Sequence, residues 1–233
     1  MKKQTNILGI IPARAGSKRL PGKNKKRLAG KELVRYAIET ALGSRMVNDW
    51  VLSSDDEDII NIGMTYQQLK VLQRPADISG DEALAITYVK HALDEMPAEY
   101  SHIVIVQVTS PFTKPEDIDA TIDRLLEKPG ANSAVSVQSI DFALHPAKIK
   151  TLDQDGMLRA YWEAENGRMS AQQLPQLYVR NGSVYVSTID AIKRGHIVEE
   201  PCAAHLMPRE RSLDINDPID FAFAEFLMKS KSS

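Results

Sequence analysis

Short β-branched apolar runs alternate with apolar residues at helical spacing through the first half of the chain. This rhythm restricts the fold to an α/β architecture around a mostly parallel sheet. Ile7–Ile11 is closed by Pro12, as in a buried parallel strand. Val34, Ala37, Ile38, Ala41 and Leu42 then recur at helical spacing, and Val47–Leu52 reads as a second strand ending in Ser53-Ser54-Asp55-Asp56. A third strand is expected around Val71 and Leu72, running into Arg74-Pro75, and Ala85, Val89, Ala92 and Met96 mark the next helix face. Ile103–Val108 is the clearest strand and stops at Ser110-Pro111. Ile118, Ile122, Leu125 and Leu126 give another helix, begun by a capping box in which Thr113 and Glu116 satisfy free amides. Ligands on such sheets sit at the carboxyl ends of the strands, so the segments after each strand are expected to carry function.

The rhythm changes after about residue 139. His145-Pro146, Leu152–Gly156, Tyr161-Trp162 and Leu174-Pro175 break it; Val184–Val186 and His205–Met207 again look like strands, and Ile219–Met228 like a closing helix. The sequence therefore reads as a single domain over residues 1–233, with residues 140–178 as an excursion or small lobe within it.

Composition narrows the function classes. Apolar residues make up 43% of the 233, enough for a core, and the net charge of −2 argues against nucleic-acid binding by bulk electrostatics. No run approaches the roughly 20 apolar residues of a membrane span. Met1–Asn6 leads straight into a strand pattern, so no signal peptide is expected. Cys202, the single cysteine, excludes an intrachain disulfide and fits a reducing, cytoplasmic setting; its place after Pro201 suggests packing.

Against that acidic background, the segment after the first strand stands out. Arg14 through Lys31 carries eight Lys or Arg residues and no acid. Gly16 and Gly22 let the backbone approach a ligand closely, and amides beside cations suit a polyphosphate. The loop is no Walker P-loop: five residues separate Gly16 from Gly22, and Asn24 stands where a magnesium-holding Ser or Thr would be. It also lacks the closely spaced glycines of a dinucleotide fingerprint. A solvated basic loop is the alternative.

Ile11-Pro12-Ala13-Arg14-Ala15-Gly16-Ser17-Lys18-Arg19-Leu20-Pro21-Gly22-Lys23-Asn24 resembles the signature loop of the acylneuraminate cytidylyltransferases, or CMP-sialic acid synthetases, of which the CMP-Kdo synthetases share a shorter form. The resemblance continues along nearly the whole chain. It takes in Ser53-Ser54-Asp55-Asp56, Leu72-Gln73-Arg74-Pro75-Ala76, Ser79-Gly80-Asp81 and Val106-Gln107-Val108-Thr109-Ser110-Pro111. His145-Pro146-Ala147-Lys148, Gln172-Gln173-Leu174-Pro175-Gln176, Asn181-Gly182 and Ser212-Leu213-Asp214-Ile215-Asn216 follow in the family's order. Each segment is weak alone; order and placement after strands make the set strong.

The resemblance implies a Rossmann-like sheet of nucleotidyltransferase type and transfer of CMP from CTP to the anomeric hydroxyl of an acidic 2-keto-3-deoxy nonulosonic sugar, with release of pyrophosphate. It implies that Arg14 and Lys23 hold the triphosphate and leaving pyrophosphate, with Gly16, Ser17, Lys18 and Asp81 in the same nucleotide site. Asn24, Arg74 and the backbone near Ala13 would recognise cytosine and ribose. Gln107 would reach the sugar or its attacking hydroxyl, with Lys148, Gln173 and Arg180 on the acid sugar. Asp214, with Asn216, would hold Mg²⁺ or Mn²⁺. A homodimer is implied, residues 140–178 reaching across to the partner.

Plainer roles compete at several positions. Arg74 has Asp77 nearby as an ion-pair partner. Asp55, Asp56, Glu57 and Asp58 suit the first turn of a helix. His145 before Pro146 suits a loop, and Asp217 before Pro218 suits an N-cap. Two departures from the family stand out. Asn216 occupies a position where a second Asp is frequent, and Ala171 one where an Arg often helps hold the sugar carboxylate; Lys148, with Arg168 or Arg180, would then do more of that work. An eight-carbon acid such as Kdo, or a non-catalytic sugar-nucleotide binder, are the rival readings.

Overall fold

The computed structural model describes residues 5–162 and 174–231. Its centre is a seven-stranded sheet in the order β11-β7-β10-β6-β1-β4-β5. The strands are β1 (Ile7–Pro12), β4 (Asp49–Ser54), β5 (Leu69–Gln73), β6 (His102–Val106), β7 (Ser133–Ser139), β10 (Tyr178–Thr188) and β11 (Cys202–Leu206). All neighbours pair in parallel except β10, which runs antiparallel to both β6 and β7. The expected α/β architecture with a mostly parallel sheet is the one found.

Alternation along β1 supplies both faces of the core. Ile7 and Ile11 pack with α1 (Leu33–Leu42), α2 (Glu57–Met64), α4 (Pro115–Leu126) and α6 (Pro218–Lys231). Leu8 and Ile10 face α3 (Ala85–Glu95) and the short α5 (Ile189–Lys193). Gly9 is required by packing: a Cβ there would land on the Trp50 ring.

The helix caps refine the expectations. Asp56 is the N-cap of α2, accepting from the Asp58 and Ile59 amides, and Asp217 caps α6 through the Ile219 and Asp220 amides at 2.8 and 3.0 Å. The α4 cap lies elsewhere than expected. The Asp117 carboxylate, rather than Glu116, accepts the Lys114 N–H at 3.0 Å. Thr113 turns inward, its hydroxyl donating to the Ser110 carbonyl at 2.9 Å and meeting Ser183 Oγ. Pro115 takes the first helical position, where its missing N–H leaves no helical hydrogen bond unmade and its fixed φ suits the helix.

Four features were not anticipated: β7, the outer half of β10, and two small hairpins, β2 (Arg27–Leu28) with β3 (Lys31–Glu32) and β8 (Lys150–Leu152) with β9 (Leu158–Ala160). The second hairpin lies within the expected excursion and forms its own sheet, apart from the central one.

Strand order positions the site. From β1 the chain steps outward to β4 and β5, then returns to β6 on the other side of β1. A crevice therefore opens between the carboxyl ends of β1 and β6, where ligands bind on open α/β sheets.

Candidate active site

The crevice is a cavity of about 600 Å³. Arg14, Gly16, Ser17, Lys18, Lys23 and Asn24 line it from the loop after β1, Arg74, Gly80 and Asp81 from the segment after β5, Gln107 and Thr109 from the end of β6, and Asn216 from the segment before α6. Residues from four separate stretches of sequence thus meet at one switch point.

The basic loop is tied down at several points. Asp55, just past β4, accepts the Ala15 N–H at 2.8 Å. Asn24 donates to the Arg14 carbonyl at 2.9 Å, closing the loop on itself, and Gly22 turns it at φ 64°. Lys25 reaches back to the α2 cap, pairing with Asp56 at 3.0 Å and Asp58 at 2.7 Å. Ala13 is fully buried with both backbone groups committed to β4: its N–H donates to the Ser53 carbonyl at 2.9 Å and its carbonyl accepts the Ser54 hydroxyl at 2.6 Å.

Three of the five cations that line the cavity are held in different states. Arg14 donates to the Gly80 carbonyl at 3.0 Å and pairs with Asp81 at 3.0 Å. Lys18 holds the other Asp81 oxygen at 2.7 Å. The hydrogen bond from Lys18, then the charges of Lys18 and Arg14, hold the Asp81 carboxyl below its ordinary range. Lys23 is half-buried and donates to the Ile215 carbonyl at 2.8 Å. Burial lowers its pKa, and the Asp214 charge opposes that shift.

Arg74 is buried and does not pair with Asp77. Its Nε and Nη2 donate to Ser53 Oγ and the Ser53 carbonyl, both at 3.0 Å, and its guanidinium lies 4.7 Å from the Tyr88 ring centroid. Tyr88, in the first turns of α3, lines the same cavity as Gln107. Sequence reasoning passed over Tyr88. It shares the α3 face with Ala85 and Ala92, and a polar-tipped aromatic near the start of a helix that follows a strand was the available signal.

Asp214 and Asn216 do converge, but on each other: Asn216 Nδ2 donates to Asp214 Oδ2 at 2.9 Å. The Asn216 carbonyl oxygen accepts from Arg19 at 2.9 Å. Asp214 does not line the main cavity. It faces a neighbouring one with Arg180, Asn181, Arg209 and Phe223, and its charge is felt at both Lys23 and Tyr185. A β-bulge in β10 between Arg180 and Tyr185 makes room for it. Gly182 sits in that bulge at φ 75°, where a Cβ would lie 3.3 Å from Asp214 Oδ2.

The remaining sugar-side residues are not gathered here. Lys148 lies outside the cavity, its ammonium 4.9 Å from the Phe142 ring centroid. His145 is buried as a loop organiser, its Nδ1 accepting the Ala147 N–H at 3.2 Å. Arg168, Ala171, Gln172 and Gln173 lie outside the described residues.

A cation-rich cleft at the switch point of a mostly parallel sheet defines an α/β enzyme that handles a polyphosphate nucleotide. The sequence matches the cytidylyltransferase family over residues 8–198, and the chain belongs to that family. It is 34% identical to the CMP-N,N'-diacetyllegionaminic acid synthase of Legionella pneumophila, over 96% of both chains. It is 28% identical to the pseudaminic acid cytidylyltransferase of Campylobacter jejuni, over 95% of this chain and 96% of that protein. The N-acylneuraminate cytidylyltransferase of Escherichia coli O18:K1:H7 is 29% identical over 98% of this chain, which spans 54% of that longer protein. In fold the chain resembles CMP:2-keto-3-deoxy-manno-octonic acid synthetase complexed with CTP, at a TM-score of 0.72 and 17% identity, covering 97% of this chain and 100% of that one.

Proposed function

We propose that this cytidylyltransferase moves CMP from CTP to the anomeric hydroxyl of an acidic 2-keto-3-deoxy nonulosonic sugar of the legionaminate, pseudaminate or acylneuraminate class. The observation that carries this reading is the convergence of Arg14, Lys18, Lys23, Arg74 and Gln107 on one cavity at the β1/β6 crevice. The relatives named for sugars of that class support it over an octonic acid, whose synthetase shares the fold at 17% identity.

The chemistry is an in-line displacement at the α-phosphorus, for which positioning and charge stabilisation matter more than a reactive side chain. Arg14 and Lys18 bind the phosphates once Asp81 gives them up. Lys23, fixed by the Ile215 carbonyl, stabilises charge developing on the departing pyrophosphate. Asn24 and the buried Arg74 face the nucleoside. Gln107 meets the acceptor sugar, and Arg180, beside Asp214, holds its carboxylate.

Magnesium or manganese belongs to this reading. Among the described residues no group of three His, Cys, Asp or Glu gathers to cage a metal. A single carboxylate, completed by substrate phosphates and water, is the donor set magnesium takes, and Asp214, which faces the neighbouring cavity but acts electrostatically on Lys23, would supply it. Asn216, its oxygen turned to Arg19 and its amide to Asp214, orients that carboxylate. Held at Asp214, the metal would supply positive charge to offset that of the substrate phosphates. We further propose a cytoplasmic homodimer; among the described residues no helix is long and apolar enough to cross a membrane.

Pyrophosphate release from CTP with a panel of acid sugars tests the assignment. Turnover with N-acetylneuraminate, legionaminate or pseudaminate supports it, turnover only with an eight-carbon acid redirects it, and release with none of them sinks it.

A further inference from the structure

We propose that Tyr88 is a positioning residue for nucleoside recognition: its ring covers the buried Arg74 guanidinium where an acid would ordinarily stand, so that Arg74 meets the nucleoside with its charge uncancelled. The proposal rests on the nucleoside-side role given to Arg74 above. Tyr88 itself matches no segment that carried the family resemblance.

Arginine is rarely buried unless an acid accompanies it. Arg74 is only 5% exposed, yet among the described residues no carboxylate pairs with it. Its bonds go to a neutral partner and use one edge of the guanidinium, Nε to Ser53 Oγ and Nη2 to the Ser53 carbonyl, at 3.0 Å each. Nη1 has no hydrogen-bond partner among the described residues, and Arg74 lines the cavity. A buried donor left without an acceptor is unfavourable until a ligand brings one. A nucleoside brings several, in the carbonyl of its base and the hydroxyls of its ribose.

Two bonds to one residue fix an edge of the guanidinium but leave its plane free to tilt about that edge. The Tyr88 ring removes this freedom, its centroid 4.7 Å from the Arg74 guanidinium. The ring is itself held: Tyr88 is buried and belongs to the apolar cluster of Leu8, Val51, Leu72 and Ile105 on the α3 side of the sheet. A guanidinium is planar and weakly hydrated, so an aromatic face attracts it through the π electrons and leaves its N–H donors, which lie in the plane, open to a ligand. An acid would hold Arg74 as firmly, but it would occupy a pair of those donors and cancel the charge. The aromatic face thus orients the cation without competing with the nucleoside for it.

The test is calorimetric titration of the full-length protein, in EDTA, with two probes: CMP, which reports the nucleoside side, and inorganic tripolyphosphate, which reports the basic loop. Tyr88→Leu should weaken CMP binding roughly tenfold, the loss of a desolvated cation–π contact, and leave tripolyphosphate within about twofold. Tyr88→Met carries the same expectation should Tyr88→Leu fail to fold. Tyr88→Phe, the conservative variant that keeps the ring, should bind CMP within about threefold of wild type. Arg74→Lys, which keeps a charge but loses the plane, should weaken CMP at least as much as Tyr88→Leu, and combining the two should add little. Equal loss of both probes in Tyr88→Leu would mean a general disturbance of the cavity and overturns the proposal. So does a Tyr88→Phe as weak as Tyr88→Leu, which would put the effect on the hydroxyl. If Arg74→Lys weakens CMP and Tyr88→Leu does not, the positioning role is wrong while the reading of Arg74 stands. If Arg74→Lys leaves CMP binding unchanged, the nucleoside-side reading falls and the proposal with it.

Discussion

Lys23 illustrates how a single side chain is prepared for charge. Its ammonium is half-buried, bonded to the Ile215 carbonyl at 2.8 Å, and offset by Asp214. Lys23→Ala is expected to cost about 2–4 kcal/mol at the transition state, the usual loss for one fixed electrostatic donor, with the fold retained. Turnover within about threefold of wild type, read by pyrophosphate release, would remove the loop from the phosphate site. Asp81 poses the opposite question. It holds Arg14 and Lys18, the two cations a triphosphate would claim. Exposed ion pairs of this kind are worth about 0–1 kcal/mol, so Asp81→Asn should lower the KM for CTP by up to about fivefold. A KM that rises instead would mean that Asp81 itself contacts the nucleotide, as the family resemblance implied. The basic loop was legible because cations without acids are conspicuous in sequence. The acid that neutralises two of them lies some 65 residues away, and only the fold brings it near.

At the scale of elements, one buried ion pair joins two that the sequence treats separately. Asp117, in the first turn of α4, accepts two bonds from Arg211 at 2.9 and 2.7 Å, and Arg211 directly precedes the segment that carries Asp214. Burial opposes ionisation of Asp117, but His205, Arg211 and the Lys114 N–H outweigh it and hold the carboxyl well below the usual carboxylate range. Because the folded pKa is depressed, this stability is present above the unfolded value of about 4 and is lost as pH falls from there toward the folded one. Asp117→Asn should destabilise the protein at pH 7 by about 3–5 kcal/mol, the cost of breaking a buried pair, and the gap to wild type should narrow as the pH falls below about 4. Urea unfolding at both pH values checks it; a gap that widens in acid contradicts the pairing. Element legibility follows burial chemistry. Strands β1, β4 and β6 were readable because their runs are apolar on both faces. Strand β7 was not, because Ser133 and Ser136 interrupt its pattern. Both serines are buried and satisfied by distant partners, Glu199 backbone groups for Ser133 and Asn181 for Ser136, which no local window reveals. The α4 cap was misplaced by one residue for a similar reason: Thr113 looks like a cap in sequence but is spent on Ser110 and Ser183.

For the whole molecule the open matter is what covers the excursion. The β8–β9 pair stands apart from the central sheet, and a two-stranded hairpin alone is marginal in water. Its apolar side chains face outward: Leu152 is 68%, Met157 59% and Leu158 70% exposed. Leu144, Tyr161, Tyr178, Val179 and Leu206 extend the exposed apolar surface toward the outer half of β10 and the β11 edge, where a second cavity opens. Scattered exposed apolar residues are ordinary, but this many on the hairpin and on the outer sheet edge would suit the dimer proposed above. A symmetric dimer would use this face on both copies, with the excursion of one protomer laid against the other. Light scattering coupled to gel filtration should therefore give twice the mass of the 25.9 kDa chain. Leu158→Asp, placed at the most exposed apolar position of the hairpin, should shift the population to monomer without lowering the protomer's helix content. If the wild type runs as a monomer at concentrations of tens of micromolar, well above the Kd expected of a standard-size interface, the excursion has another purpose. If Leu158→Asp stays dimeric while a charge at Phe226 on α6, also exposed at 64%, dissociates it, the interface lies on the helical face instead.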